Sequence, residues 1–91
     1  MISIELSRRF KRIVQEAGRE EEVSATLSPV LDGFGKPPAH TGLAIRKLSQ
    51  HLYECRTGLA WRPIFEAHKG VLTFDFAGDY DEVQNFLRGR R

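Results

Sequence analysis

Apolar residues recur along the chain with two different periods. Residues 1–6 alternate apolar and polar, which predicts a first strand. Ser7 is a helix-capping residue, and Phe10, Ile13, Val14 and Ala17 follow at helical spacing, with Arg8, Arg9, Lys11 and Arg12 on the other faces. Gly18 predicts the end of that helix. Val23, Leu27, Val30, Leu31 and Phe34 form the stripe of a second helix, interrupted by Pro29, which predicts a kink or a fresh start there. The two helices read as a hairpin.

After the GFGKPP run at 33–38 the period becomes two. The alternation predicts antiparallel strands over 43–48, 52–57, 59–66 and 71–77. In the last of these Leu72, Phe74 and Phe76 are expected on one side, and Val71, Thr73 and Asp75 on the other. Pro63 lacks an N–H, so its strand should have an edge or a bulge there. Asp79 and Glu82 have the spacing of a capping box before a short terminal helix with Val83, Phe86 and Leu87 as its apolar stripe. The fold class is therefore α+β: an N-terminal strand, a helical hairpin, an antiparallel meander sheet and a short C-terminal helix. The hairpin covers one sheet face and the other is left open.

The 91 residues suit one domain, and a composition of 41% apolar and 29% charged residues is that of a globular chain. No stretch approaches the ~20 apolar residues of a membrane span. The beginning of the chain lacks the pattern of a signal peptide. The single cysteine, Cys55, leaves no partner for an internal disulfide and fits the reducing cytoplasm. The net charge is only +2, but it is unevenly placed. Residues 36–69 carry six basic side chains against Glu54 and Glu66, whereas 70–87 carry four acids and no base. That asymmetry favours an anionic partner on one surface. Arg46, Lys47, Arg56 and Arg62 lie in the segment 45–65 among apolar and aromatic residues, so a strand there can present a row of cations. Arg46 and Lys47 are neighbours, and only one of them can belong to the sheet face.

Four pieces in this order, ELSRRF, IRKL, LYECRTGLAWRPIF and GDYDEVQNFLR, resemble the RelE/ParE superfamily of toxins from bacterial type II toxin–antitoxin systems. The resemblance spans nearly the whole chain. It implies a toxin held silent by a cognate antitoxin. RelE-like members cut mRNA on the ribosome without a metal or cofactor, and ParE-like members inhibit DNA gyrase by binding it. A catalytically degenerate member acting only with its antitoxin is a third alternative. By this resemblance Arg62 matches the arginine that contacts the scissile phosphate, and Arg56 matches a second strand arginine or pairs with Glu54. Tyr80 stands where the family often has a histidine or basic residue. Leu52 and Glu54 stand where active nucleases often carry lysines, and Phe86 stands where the most active carry a tyrosine. The general acid and base are thus left unassigned.

His51 is a candidate acid or base near neutral pH. Trp61 offers either a stacking ring for a base or a core side chain. His40, His51 and His68 lack metal-ligand spacing, and no metal site is expected. Asp79, Asp81 and Glu82 fit the first turn of a helix.

Overall fold

The computed structural model describes residues 2–36, 42–58 and 60–89. The expected strand start at Leu59, the proline end of the 33–38 loop, His40 and the terminal Arg90 and Arg91 lie outside these residues. The elements are β1 (Ser3–Leu6), α1 (Arg8–Ala17), α2 (Glu20–Gly33), β2 (Arg46–Lys47), β3 (Leu52–Glu54), β4 (Arg62–His68), β5 (Val71–Gly78) and α3 (Tyr80–Gly89). They form one five-stranded sheet in the order β1-β5-β4-β3-β2. The meander β2 to β5 is antiparallel as expected, and β1 returns to pair parallel with β5. The helical hairpin carries the chain from β1 to β2 at the opposite edge of the sheet, and the meander then brings β5 back beside β1. Among the described residues no helix is long and apolar enough to cross a membrane.

Local chemistry sets the helix ends. Ser7 Oγ accepts the Phe10 N–H at 3.0 Å, and Gly18 closes α1 in the left-handed conformation at φ 67°. Glu20, Glu21 and Glu22 open α2, where the helix dipole favours acids. Contrary to a fresh start at Pro29, α2 continues through it as one element to Gly33. Packing of Val23 and Val30 against the sheet outweighs the one hydrogen bond that Pro29 withdraws. Leu31 departs from the expected stripe and is 36% exposed. Asp79 Oδ1 accepts the Glu82 N–H at 2.8 Å, and Glu82 Oε1 accepts the Asp79 N–H at 2.9 Å, which completes the capping box of α3.

The main core lies between the hairpin and the sheet. Phe10, Val14, Val23 and Val30 meet Phe65, Leu72 and Phe74 there. A smaller core lies on the opposite face, where Val83 of α3 covers Leu52 and Ile64. The far face is therefore partly roofed by α3 rather than wholly open.

The expected alternation in β5 fails at one place. Ile64 pairs with Phe76 while its neighbour Phe65 pairs with Phe74, so Asp75 is the extra residue of a β-bulge. The bulge shifts the phase by one. Leu72 and Phe74 enter the main core, whereas Phe76 turns to the α3 side and stacks on Phe86 at 4.4 Å. The Arg9 guanidinium pairs with the Asp75 carboxylate, and Arg9 Nε donates to the Asp75 carbonyl at 3.1 Å.

The strands are also shorter than the alternation predicts. The ladder covers only Arg46–Lys47 of 43–48 and Leu52–Glu54 of 52–57. Pro63 explains the early end of β3. Its carbonyl accepts the Cys55 N–H at 3.1 Å, but it has no N–H to return. An isolated antiparallel bridge then pairs Thr57 with Trp61.

Candidate functional site

Three strands bring the site together on the face that carries α3. In β3 Leu52 and Glu54 share that face, and in β4 so do Arg62 and Ile64. Arg46 is the register partner of Glu54, so it faces the same way, and its neighbour Lys47 turns to the other side. Beyond the end of α3 the sheet face is uncovered. A cleft of about 360 Å³ opens there, lined by Ala44, Ile45, Arg46, Glu54, Cys55, Arg56 and Arg62.

Glu54 is the centre of this cleft, and it is only 4% exposed. Its Oε2 accepts Arg62 Nη1 at 2.8 Å and lies 3.1 Å from Arg46 Nη2. A buried carboxylate needs such partners, because desolvation without them costs several kcal/mol. The pair with Arg46 adds little, since that side chain is 61% exposed and screened by solvent. Arg62 is held from one further side. Its guanidinium carbon sits 5.6 Å from the Tyr80 ring centroid, a cation–π contact. Its Nε is buried and has no hydrogen-bond partner among the described residues. Tyr80 itself, at the first position of α3, is 55% exposed. The arrangement fixes one guanidinium and leaves an aromatic ring and two further cations at the rim.

Each candidate residue can now be placed. Arg46, Arg56 and Arg62 line the cleft, with Tyr80 against Arg62. Arg56 is exposed and is not the partner of Glu54, because β3 has already ended and Arg62 and Arg46 take that carboxylate. Trp61 is no stacking platform at this site: it is 7% exposed in the main core, and Arg19 lies 5.0 Å from its ring centroid. Alternation accounts for this, since Arg62 faces the cleft and its neighbour must face the hairpin. His51 is also not in the cleft. Its carbonyl accepts the Ala67 N–H at 2.8 Å, five residues along β4 from Arg62, about 16 Å at strand rise. Its ring meets that of His68 with centroids 5.5 Å apart. Phe86 packs in the smaller core. Burial, with help from the Glu54 carboxylate, pushes the Cys55 thiol up to about 12, so it is not a nucleophile near neutral pH. Among the described residues no group of His, Cys, Asp and Glu has the geometry to hold a metal.

Glu54 is the organising residue that sequence reasoning underrated. The available signal was a lone acid between Leu52 and Cys55 in a run of cations. Glu54→Gln keeps the shape of the side chain but removes its charge. It is expected to lower stability by about 1–2 kcal/mol, less than for a fully buried pair because both arginines reach solvent. Urea midpoints measure this, and an unchanged midpoint would show that the carboxylate contributes nothing.

No protein-family model matches the chain, and no curated protein matches its sequence. Its architecture does match a solved structure. The crystal structure of YafQ from E. coli strain BL21(DE3) superposes with a TM-score of 0.66, covering 91% of this chain and 98% of that one, at 14% identity. The fold is RelE-like. YafQ is a RelE-family toxin of type II toxin–antitoxin systems. The RelE-like fold agrees with the resemblance in the four sequence pieces. In this chain the cationic cleft lies at the β2-β3-β4 side of the sheet.

Proposed function

We propose that this chain is the toxin of a toxin–antitoxin module and a RelE-like mRNA interferase, cleaving mRNA on the ribosome in the cytoplasm by metal-independent chemistry. The observation that carries this reading is the cleft. On a RelE-like fold, Arg62 is fixed by buried Glu54 and packed on Tyr80, with Arg46 and Arg56 beside it. In the reaction the ribose 2′-oxygen attacks the adjacent phosphorus and gives its proton to a base. The bond from phosphorus to the 5′-oxygen breaks, and an acid protonates that oxygen, leaving a 2′,3′-cyclic phosphate and a 5′-hydroxyl. Negative charge accumulates on the phosphoryl oxygens on the way. A guanidinium already locked in place stabilises that charge without reorganising. The exposed Tyr80 ring suits stacking of an unpaired base, and its hydroxyl is a proton donor at the same edge. A cognate antitoxin is the expected partner.

A binding-only toxin, acting on a protein such as gyrase, is the second reading. It is favoured by the absence of any histidine among the described residues lining the cleft. Induction of the chain in bacterial cells, followed by primer extension on mRNA, separates the two. Growth arrest with breaks inside translated codons, relieved by the neighbouring gene's product, is the expected result. Arrest with DNA breaks and intact mRNA would discard the nuclease in favour of the binding toxin.

A further inference from the structure

We propose that Gly78, through its contact with Glu82, is a positioning residue that holds the Tyr80 ring against Arg62. The inference rests on the reading of the chain as an mRNA interferase, and it adds a residue that acts through others. Gly78 ends β5 and is the register partner of Arg62, so a side chain there would point to the face that carries Arg62 and α3. Its φ is not positive, so the backbone itself would accept any L residue. A glycine in a strand is costly, because it gives up packing and loses more backbone entropy on folding. Close approach explains it. A Cβ at position 78 would lie 2.8 Å from Glu82 Cβ and 3.0 Å from Glu82 Oε1. The carboxylate can swing aside, but each Cβ is fixed by its own backbone. Only movement of α3 away from the strand relieves that contact. Carbon atoms in ordinary contact are ~3.5–4.0 Å apart, so the first turn would have to shift by about 1 Å.

That shift reaches Tyr80 directly. The first turn of α3 is tied at two points. Asp79 and Glu82 exchange the two capping-box hydrogen bonds, and the Val83 N–H donates to the Asp79 carbonyl at 3.0 Å. Val83 is in turn seated on Leu52 and Ile64 in the smaller core. Tyr80 lies between these ties. It is 55% exposed, so the backbone of the turn rather than an enclosing pocket sets where its ring stands. The ring centroid is 5.6 Å from the Arg62 guanidinium carbon. How closely the turn approaches Gly78 therefore sets how closely Tyr80 approaches Arg62. Gly78 acts on Arg62 in a second way. A cross-strand partner would place its Cβ ~4.5–5.5 Å from that of Arg62, and here no side chain stands there to displace the arginine stem.

The test measures mRNA cleavage on programmed ribosomes by the wild type, Gly78→Ala, Tyr80→Ala and the double variant, each at equal folded fraction. Gly78→Ala is expected to lower kcat by about 10²-fold, the cost of roughly 1 Å of misplacement, with little change in KM. The double variant should be no slower than Tyr80→Ala, because both changes break one contact. Wild-type kcat in Gly78→Ala, or losses that multiply in the double variant, would overturn the proposal, since a merely structural glycine changes only the folded fraction. The buried Arg62 Nε–H gives a readout without activity. Its NMR signal, identified by its disappearance in Arg62→Lys, is expected to leave its wild-type position in Gly78→Ala as it does in Tyr80→Ala. An unmoved signal in Gly78→Ala would overturn the contact. If Gly78→Ala does not fold, Gly78→Ala with Glu82→Gly removes the colliding atom. That pair should fold and cleave as Glu82→Gly alone does, and failure to fold would overturn the contact with Glu82. A wild type that leaves mRNA intact would refute the interferase reading, and the Nε–H signal would then decide the placement of Tyr80 on its own.

Discussion

Arg62→Ala is expected to abolish growth arrest and to slow mRNA cleavage by roughly 10²–10³-fold, the usual cost of removing one preorganised charge donor at an acyl or phosphoryl centre. The geometry gives the reason. Arg62 is the cleft cation whose position is fixed from several directions: Glu54 Oε2 at 2.8 Å, the Tyr80 ring at 5.6 Å, and the strand pairing of Arg62 with Gly78. Arg46 bears on Glu54 too, but it is 61% exposed, so Arg46→Ala should cost far less. Arg62→Lys should not restore activity, because an ammonium cannot hold Glu54 and a phosphate oxygen at once with the fixed fork of a guanidinium. The alanine variant also leaves Glu54 buried with only a solvent-exposed partner, which should lower stability by about 1–3 kcal/mol. Cleavage rates must therefore be compared at equal folded fraction, set from denaturant curves. Primer-extension stops and arrest unchanged in Arg62→Ala would remove this residue from the chemistry.

The helices were legible in the sequence because their signals are local. Ser7, Gly18, Asp79 and Glu82 act through hydrogen bonds within a turn or two, and each behaves as its residue type dictates. The sheet was less legible because its pairing is non-local. Nothing within β5 announces the bulge at Asp75, which appears only when β4 is laid beside it and the neighbours Ile64 and Phe65 take partners two positions apart, Phe76 and Phe74. That single residue moves Phe76 from one core to the other. The parallel return of β1 is non-local in the same way. Pro63 signals a local disturbance, and its effect falls on the partner strand, where no Pro63 N–H answers the Cys55 N–H to Pro63 carbonyl bond.

The site divides along the same line. Arg62 was marked by the resemblance, and alternation allowed only one of Arg46 and Lys47 on the sheet face; the pairing of Arg46 with Glu54 decides for Arg46. Trp61 is excluded by that rule as well, because it adjoins Arg62 and must face the hairpin. His51 is distant in space although it is near in sequence to Glu54, since β3 and β4 run antiparallel and carry it toward His68. Glu54 changed its meaning most. As a departure from an expected lysine it weakened the catalytic reading. As a buried acceptor for Arg62 it is what makes that arginine rigid.

Phe74→Ala is expected to be the most damaging single substitution for stability, at about 3–5 kcal/mol. Phe74 is fully buried, stacks on Phe65 at 4.7 Å and meets Phe10 at 5.5 Å, so it joins β5, β4 and α1 in one contact. A domain of this size has a total stability of roughly 5–14 kcal/mol, so the loss takes about a fifth or more of it. The cleft depends on that contact, because β4 holds Phe65 in the core on one face and Arg62 and Ile64 on the other. Urea denaturation should show a lower midpoint with a similar slope. Phe76→Ala, two residues on, should cost less, because Phe76 is only partly buried and lies in the smaller core. A strict alternation without the bulge would put both rings in the same core and predict similar costs that couple in the double variant. The bulge predicts unequal costs that add nearly independently, since the two rings lie on opposite faces of the sheet. Equal, strongly coupled losses would therefore refute the bulge and, with it, the placement of Arg62 relative to the core.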